Sequence, residues 1–469
     1  MSVIDVTLQE LHLARLRELV LPAGGIEGAA YVLFGQSRIG GDPWDRRARR
    51  RFLSYDVVPI ASEEFESVGP DHVTWSTASF VRLLKQAKDD GLVAGIVHSH
   101  PGGPAWFSDQ DQRNEAELAR LARNRNGPDT PLLSVLLTGD GALRAQAWQG
   151  GKAAEPAQTV RVVGRQLALH GLRSRSRFDE AFDRQALALG EAVNAQLRGL
   201  RVGVVGCGGT GSATAVLLAR LGVGHLVLFD EDVVEATNLN RLHGARQADA
   251  DALRPKVEVL AREIAEMGLG VRVVPMRHWI GDHACRDALK SCDVIFGCTD
   301  DHDGRLLLNR LAYFYLIPVI DMGLAIEPAP QGGGIRELSG RCTVLAPGGA
   351  CLLCRGIVDP VLAREEELKR RNPQEYERQK REAYIRGGGN PAPAVVTFTT
   401  ATASMAIDEL LQGLTNFRGG EGWAWQRVRR FDLMRDRSPG ALVNEDCPIC
   451  VDPAYWGLGD VDPFLDRIG

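Results

Sequence analysis

The run RVGVVGCGGTGSATAVLLARLGVGHLVLFDED, Arg201 to Asp232, constrains the fold more than any other stretch of the chain. A short apolar strand ends in a glycine-dense turn, a helical stretch comes next, and a second apolar strand closes the unit. Strand, turn, helix and strand make a βαβ unit, and such units build a parallel, doubly wound sheet. In the turn GCGGTG, Gly206, Gly208, Gly209 and Gly211 let backbone approach a phosphate closely, and the N–H groups that open the helix face it. The same turn fits a dinucleotide fingerprint, and Asp230 stands about twenty residues on, where an acid binds ribose hydroxyls. An NAD-dependent oxidoreductase is therefore one reading.

The residues beyond the turn separate that reading from another. FDEDVVEATNLNRL supplies Asp230, Asp232, Asn238, Asn240 and Arg241; RPKVEVL adds Lys256, and GCTDDHDGR adds Asp300 and Arg305. Hydride transfer needs neither a pair of cations nor a metal-binding acid beside its nucleotide. Phosphoryl chemistry uses both, because Arg and Lys neutralise triphosphate charge while an aspartate holds magnesium.

The chain has 469 residues, more than one hydrophobic core usually serves, so two or three domains are expected. A formal charge of −5 from interspersed acids and bases argues against nucleic acid as a partner. The short basic run DRRARRRF, Asp45 to Phe52, reads as a solvated face or a docking patch for an acidic partner. The first residues read as neither signal peptide nor membrane span, and the nine cysteines suit a reducing cytoplasm with a metal site. A domain over residues 1–155, a Gly-rich linker over 156–176 and a second domain over 177–469 are expected. The charged stretch Val361 to Arg386 reads as a mobile helix or crossover loop, with disorder as the alternative.

The first domain carries GIVHSHPGGPAWFSDQD, Gly95 to Asp111. Side chains alternate along a strand, so His98 and His100 share a face and can bind one ion. Asp111 supplies a third ligand, leaving a fourth position for water whose pKa the metal lowers. Ser108 lies between turn and helix, where a hydroxyl can hold a developing oxyanion, and Glu27, leading into a strand, is the candidate general base. In the second domain CLLC (Cys351, Cys354) and CPIC (Cys447, Cys450) make four thiolates, enough to close a structural zinc site.

These motifs carry two resemblances. HSHPGGPAWFSDQD with its upstream Glu27 resembles the signature of the JAMM (JAB/MPN) metalloproteases, over roughly the first 150 residues. That implies a zinc peptidase or isopeptidase cutting after the C-terminal glycine of a ubiquitin-like protein, with His98, His100 and Asp111 on zinc, Glu27 as acid/base and Ser108 as oxyanion donor. From about Arg177 to Cys450 the chain resembles the adenylyltransferases that activate ubiquitin-like proteins, including the bacterial enzymes serving molybdopterin and thiamine sulfur transfer. That implies ATP with magnesium on Asp300, Asp230 on the ribose, and Asn238, Arg241 and Lys256 on phosphates. It also implies a homodimer, in which Arg184 of FDRQALALG reaches the neighbouring subunit's ATP.

One departure stands out. The segment YIRGGGNPAPAVVTFTTATASMAIDELL lacks the cysteine on which thioester-forming members carry their product. Cys207, Cys285, Cys292, Cys298 and Cys342 read as loop or core residues, and TFTTATAS as the buried face of a helix. The expected protein is a bifunctional enzyme that trims or releases a ubiquitin-like protein and adenylates its C-terminus, within a bacterial conjugation pathway that by analogy has an antiphage role. The activated protein then passes to a separate conjugating enzyme, or to sulfur transfer. A scaffold that only docks such a protein is the non-enzymatic alternative.

Overall fold

Alternation and glycine punctuation fold as they demand. The computed structural model describes residues 2–171, 180–329, 334–381, 393–420, 422–461 and 464–466. Among these, two large sheets organise an α/β molecule, and no helix is long and apolar enough to cross a membrane.

The second sheet begins with five parallel strands in the order Arg272–Met276, His225–Phe229, Arg201–Val205, Val294–Gly297, Val319–Pro328. Ile335–Leu345, Gln426–Arg430 and Arg435–Arg437 extend it antiparallel. Successive connections from Arg201–Val205 run first to one side and then to the other. The strand order therefore reverses between Arg201–Val205 and Val294–Gly297, and in such sheets ligands bind beyond the carboxyl ends of the strands at that point. The central strands are apolar on both faces because helices cover both.

The first sheet has nine strands, with Val93–His100 between Ala29–Ile39 and Leu132–Thr138. Helices Thr77–Asp89 and Asp109–Asn126 close one face, where Phe80 of the first clusters with Tyr31 and Ile96 of the sheet, and Glu10–Val20 packs in the core cluster that contains Val6, Val32 and Val97.

Two expectations need correction here. Much of the stretch read as a linker is sheet: Thr159–Val163 pairs with Val3–Gln9 and Leu167–His170 pairs with Thr159–Val163, while 172–179 lie outside the described residues. The runs TVRVV and LALH are short, and TVRVV, on which LALH pairs in turn, finds its other partner in the first strand of the chain, more than 150 residues away, which local composition cannot reveal.

The basic run is solvated only in its first part, at the exposed Arg46 and Arg47. It enters the strand Arg49–Pro59, which places Arg49 and Arg51 on one face, buried beside Asp5 of the neighbouring strand. Arg51 reaches the second half of the chain, donating to the carbonyls of Cys292 (2.5 Å) and Ser291 (2.8 Å). Arg161 meets Asp293 at 2.6 Å, Arg201 meets Asp42 at 3.0 Å, and the Trp44 indole donates to the carbonyls of Leu226 and Arg272. Trp44 and Leu53 belong to the same apolar cluster as Val227 and Leu289, so one continuous core joins the two halves. The charged stretch after Val361 begins as two helices, Pro360–Arg371 and Pro373–Arg381; its last part, 382–386, lies outside the described residues.

Candidate active and metal sites

In the first domain the strand Val93–His100 carries both histidines, and its antiparallel neighbour begins just after Glu27, with Ala29 opposite His98. That pairing brings the Glu27 carboxylate to 3.9 Å from His100 Nε2. Asp111 arrives from the first turn of Asp109–Asn126, whose N-cap is Ser108: the Ser108 N–H donates to Asp111 Oδ2 (2.6 Å) and the Asp111 N–H donates to Ser108 Oγ (3.1 Å). The cap thus fixes the acid. Asp111 lies 3.5 Å from His98 Nε2 and 3.4 Å from His100 Nε2, and the three donor atoms fall within 4.8 Å of one another.

These residues fit a metal ion. His98 Nε2 is buried without a hydrogen-bond partner, and His100 Nδ1 donates to the Pro104 carbonyl (3.0 Å), which presents Nε2 as the lone-pair atom. Burial works against the Asp111 charge, but His98 beside it and the Ser108 N–H hold the carboxyl well below the usual range. Burial pushes Glu27 the other way, up, against the pull of His100 and His98. All five residues line one cavity of about 440 Å³. Sequence reasoning missed Glu115, one helical turn after Asp111, which lines the same cavity and accepts from Gln146 Nε2 (2.6 Å) and the Trp148 indole (2.9 Å). Its spacing of four from Asp111 was the available signal.

A second cavity, of about 490 Å³, opens at the switch point of the second sheet. Gly206, Gly208, Gly209, Asp230, Asp232, Asn238, Arg241, Lys256 and Asp300 line it together. Gly206 has φ +84, and a Cβ on Gly211 would stand 1.8 Å from the Gly206 carbonyl oxygen, so these two glycines serve the turn itself. A Cβ on Gly208 meets nothing within 4 Å, so that glycine leaves open space at the start of the helix Gly209–Arg220. Asp230 accepts from the N–H groups of Cys207 (2.6 Å) and Asp232 (2.8 Å). Burial pushes its carboxyl up despite Lys256 at 3.9 Å. Lys256 rests on the exposed Asp232 (2.7 Å), a contact that a phosphate can outcompete.

Arg184 is exposed on the short helix Asp183–Leu189 and is not among the described residues lining this cavity. Glu231, His278, Trp279, Ile280, Thr399 and Arg370 line it without having been anticipated.

The remaining cluster is thiol. Cys351, Cys354, Cys447 and Cys450 gather within 4.8 Å, with Cys351 to Cys447 and Cys354 to Cys450 at 3.6 Å. A tetrahedron of ~2.3 Å zinc–sulfur bonds has sulfur–sulfur edges of about 3.8 Å, so the four thiols fit zinc. At the other cysteines burial works against the thiolate: it pushes Cys285, Cys298 and Cys342 up to about 12, and Cys207 and Cys292 up as well.

Residues 182–449, more than half of the chain, match the model of the ThiF family. The chain belongs to the ThiF family. Residues 10–149 match the prokaryotic homologs of the JAB domain, so this ThiF-family protein is a fusion of the two. The SAMP-activating enzyme E1 of Haloferax volcanii is 33% identical over 154 residues, 33% of this chain and 52% of that protein. The molybdopterin-synthase adenylyltransferase of Salmonella typhimurium is 34% identical over 154 residues, 32% of this chain and 60% of that protein. The chain thus spans roughly half of these relatives' lengths. Among solved structures, Escherichia coli MccB with ATP is 19% identical with a TM-score of 0.43, over 58% of this chain and 75% of that one.

Proposed function

We propose that this chain adenylates the C-terminal carboxylate of a small ubiquitin-like or sulfur-carrier protein, and that its JAB domain cleaves after that protein's C-terminal glycine. The carrying observation is the switch-point cavity, where open space at a helix N-terminus, a ribose-binding acid, two cations and Asp300 converge. In the reaction a carboxylate oxygen attacks the α-phosphorus of ATP. The bond from that phosphorus to the bridging oxygen breaks, and pyrophosphate leaves. Arg241 and Lys256 neutralise the charge that gathers on the phosphate oxygens, Asn238 and the helix N–H groups orient them, and Asp230 holds the ribose. Asp300, on the cavity wall, is the residue that would hold magnesium, which would supply positive charge to offset that of the triphosphate.

In the JAB domain a zinc ion, held by His98, His100 and Asp111, supplies Lewis acidity. Glu27 takes a proton from the attacking water and returns it to the departing amine nitrogen, a role suited by a carboxyl whose pKa burial has raised. Ser108 donates its O–H to the oxyanion. The four thiols hold a structural zinc, and Arg184 acts across a homodimer.

Cys207, Cys285, Cys292 and Cys342 are buried, and burial pushes the Cys298 thiol up to about 12, which favours an acyl-adenylate as the last product made on this chain. A separate acceptor then takes the acyl group, either a conjugating enzyme in a bacterial pathway or a sulfur donor. An isopeptide or a C-terminal thiocarboxylate on the small protein, read by mass, distinguishes the two. ATP–pyrophosphate exchange tests the activation itself. Forms ending in glycine should support exchange that Asp300→Ala abolishes, and C-terminally extended forms should additionally require Glu27. Absence of exchange with every glycine-ending candidate sinks the adenylation reading.

A further inference from the structure

The switch-point cavity has two ends. The glycine turn, Asn238, Arg241 and Lys256 make a phosphate end, and Asp230 marks the ribose. Beyond Asp230, the next strand outward is Arg272–Met276, and the residues just after it, His278, Trp279 and Ile280, form the far wall. In a doubly wound sheet a nucleotide crosses the carboxyl ends of the strands with its phosphates at the helix start, so this far wall is where the base arrives.

A base needs a flat surface. The indole of Trp279 lines the wall, but the Arg370 guanidinium lies over it, 3.6 Å from the ring centroid. Arg370 comes from the crossover helix Pro360–Arg371, far away in sequence, and is held by its edge: it meets Asp303 Oδ2 at 2.6 Å and Asp301 at 3.7 Å. Asp303 is buried, and Glu366 on the same helix accepts from its N–H (2.9 Å), so helix and pocket rim are joined at two points. A guanidinium paired through its edge keeps its faces for stacking, which an ammonium cannot do. One face rests on Trp279; the other belongs to a side chain that is about a quarter exposed and lines the cavity.

We propose that Arg370, backed by Trp279, is the platform on which the adenine base of ATP stacks, so that the crossover helix completes the nucleotide site. The proposal rests on the adenylation reading and adds a specific contact to it.

Equilibrium binding to the full-length protein tests it, with ATP and with inorganic tripolyphosphate, which carries the phosphates without a base. Arg370→Ala and Arg370→Lys are compared with the wild type, with thermal midpoints recorded beside them. Lysine preserves the ion pair with Asp303 but has no plane. The expected result is that both variants bind ATP about tenfold more weakly while tripolyphosphate binding is unchanged, with the KM for ATP in exchange rising and kcat holding within about twofold. Full ATP affinity in Arg370→Lys reduces the residue to a charge on Asp303 and overturns the platform. An equal loss for both ligands makes Arg370 a phosphate or structural contact and also overturns it. If the wild type itself fails to bind ATP, the adenylation reading falls with it; if the wild type binds and both variants match it, that reading stands and this proposal alone fails.

Discussion

Among the described residues, two clusters able to hold a metal differ in ligand count and in what surrounds them. The four thiols sit in the apolar cluster that contains Tyr313, Leu352, Ile449 and Trp456, and their sulfurs lie within 4.8 Å of one another, enough to fill a four-ligand site. The first-domain cluster offers three donors on the wall of a cavity, with an acid and a hydroxyl beside them. A closed four-ligand site fastens chain segments, whereas a three-ligand site facing a cavity retains a position for chemistry. On the function proposed above, one polypeptide would hold metal for two purposes, and ligand number with access would decide which.

The comparison is broken most directly at Glu27. Glu27→Ala should lower cleavage of a C-terminally extended ubiquitin-like protein by on the order of 10²–10⁴, with exchange on mature forms unchanged. A variant that cleaves normally puts the acid/base role elsewhere. The closed site is tested by Cys351→Ser, where one metal per chain should be lost by elemental analysis and the thermal midpoint should fall by on the order of 10 °C or more. An unmoved midpoint would make the cluster incidental.

A smaller effect concerns the junction between the halves. Burial opposes the charge on Asp293, but Arg161, Arg51 and Arg201 hold its carboxyl below the ordinary range. A depressed native pKa means stability that is present above the unfolded value, roughly 3.9, and lost as pH falls through the native value. Asp293→Asn should therefore cost about 3 kcal/mol near neutral pH, and its denaturation midpoint should vary less than the wild type's below about pH 4. Identical pH profiles would sever the junction from that ion network.

Much of each site was legible in the chain because its chemistry is written locally. His98, His100, Ser108 and Asp111 lie within one strand, one turn and one helix cap, and the glycine turn lies within one βαβ unit. Glu115 was within reach, since a spacing of four on a helix predicts a shared face. Arg370 was not, because a charge run reads as a solvated face until its partners Asp303 and Trp279 are known. The same failure turned Arg49 and Arg51 into a surface patch and the strands after Thr159 into a linker.

The sequence by itself determined the α/β class and named the residues that gather into the two clusters able to hold a metal, since periodicity, glycine placement and ligand spacing act over a few residues. Tertiary structure alone decided that Asp5 and Asp293 neutralise buried arginines, that Arg370 crosses to the switch-point cavity, and that one core joins the halves. Burial and partner choice are long-range: whether a charge is solvated or paired depends on what the rest of the chain brings beside it.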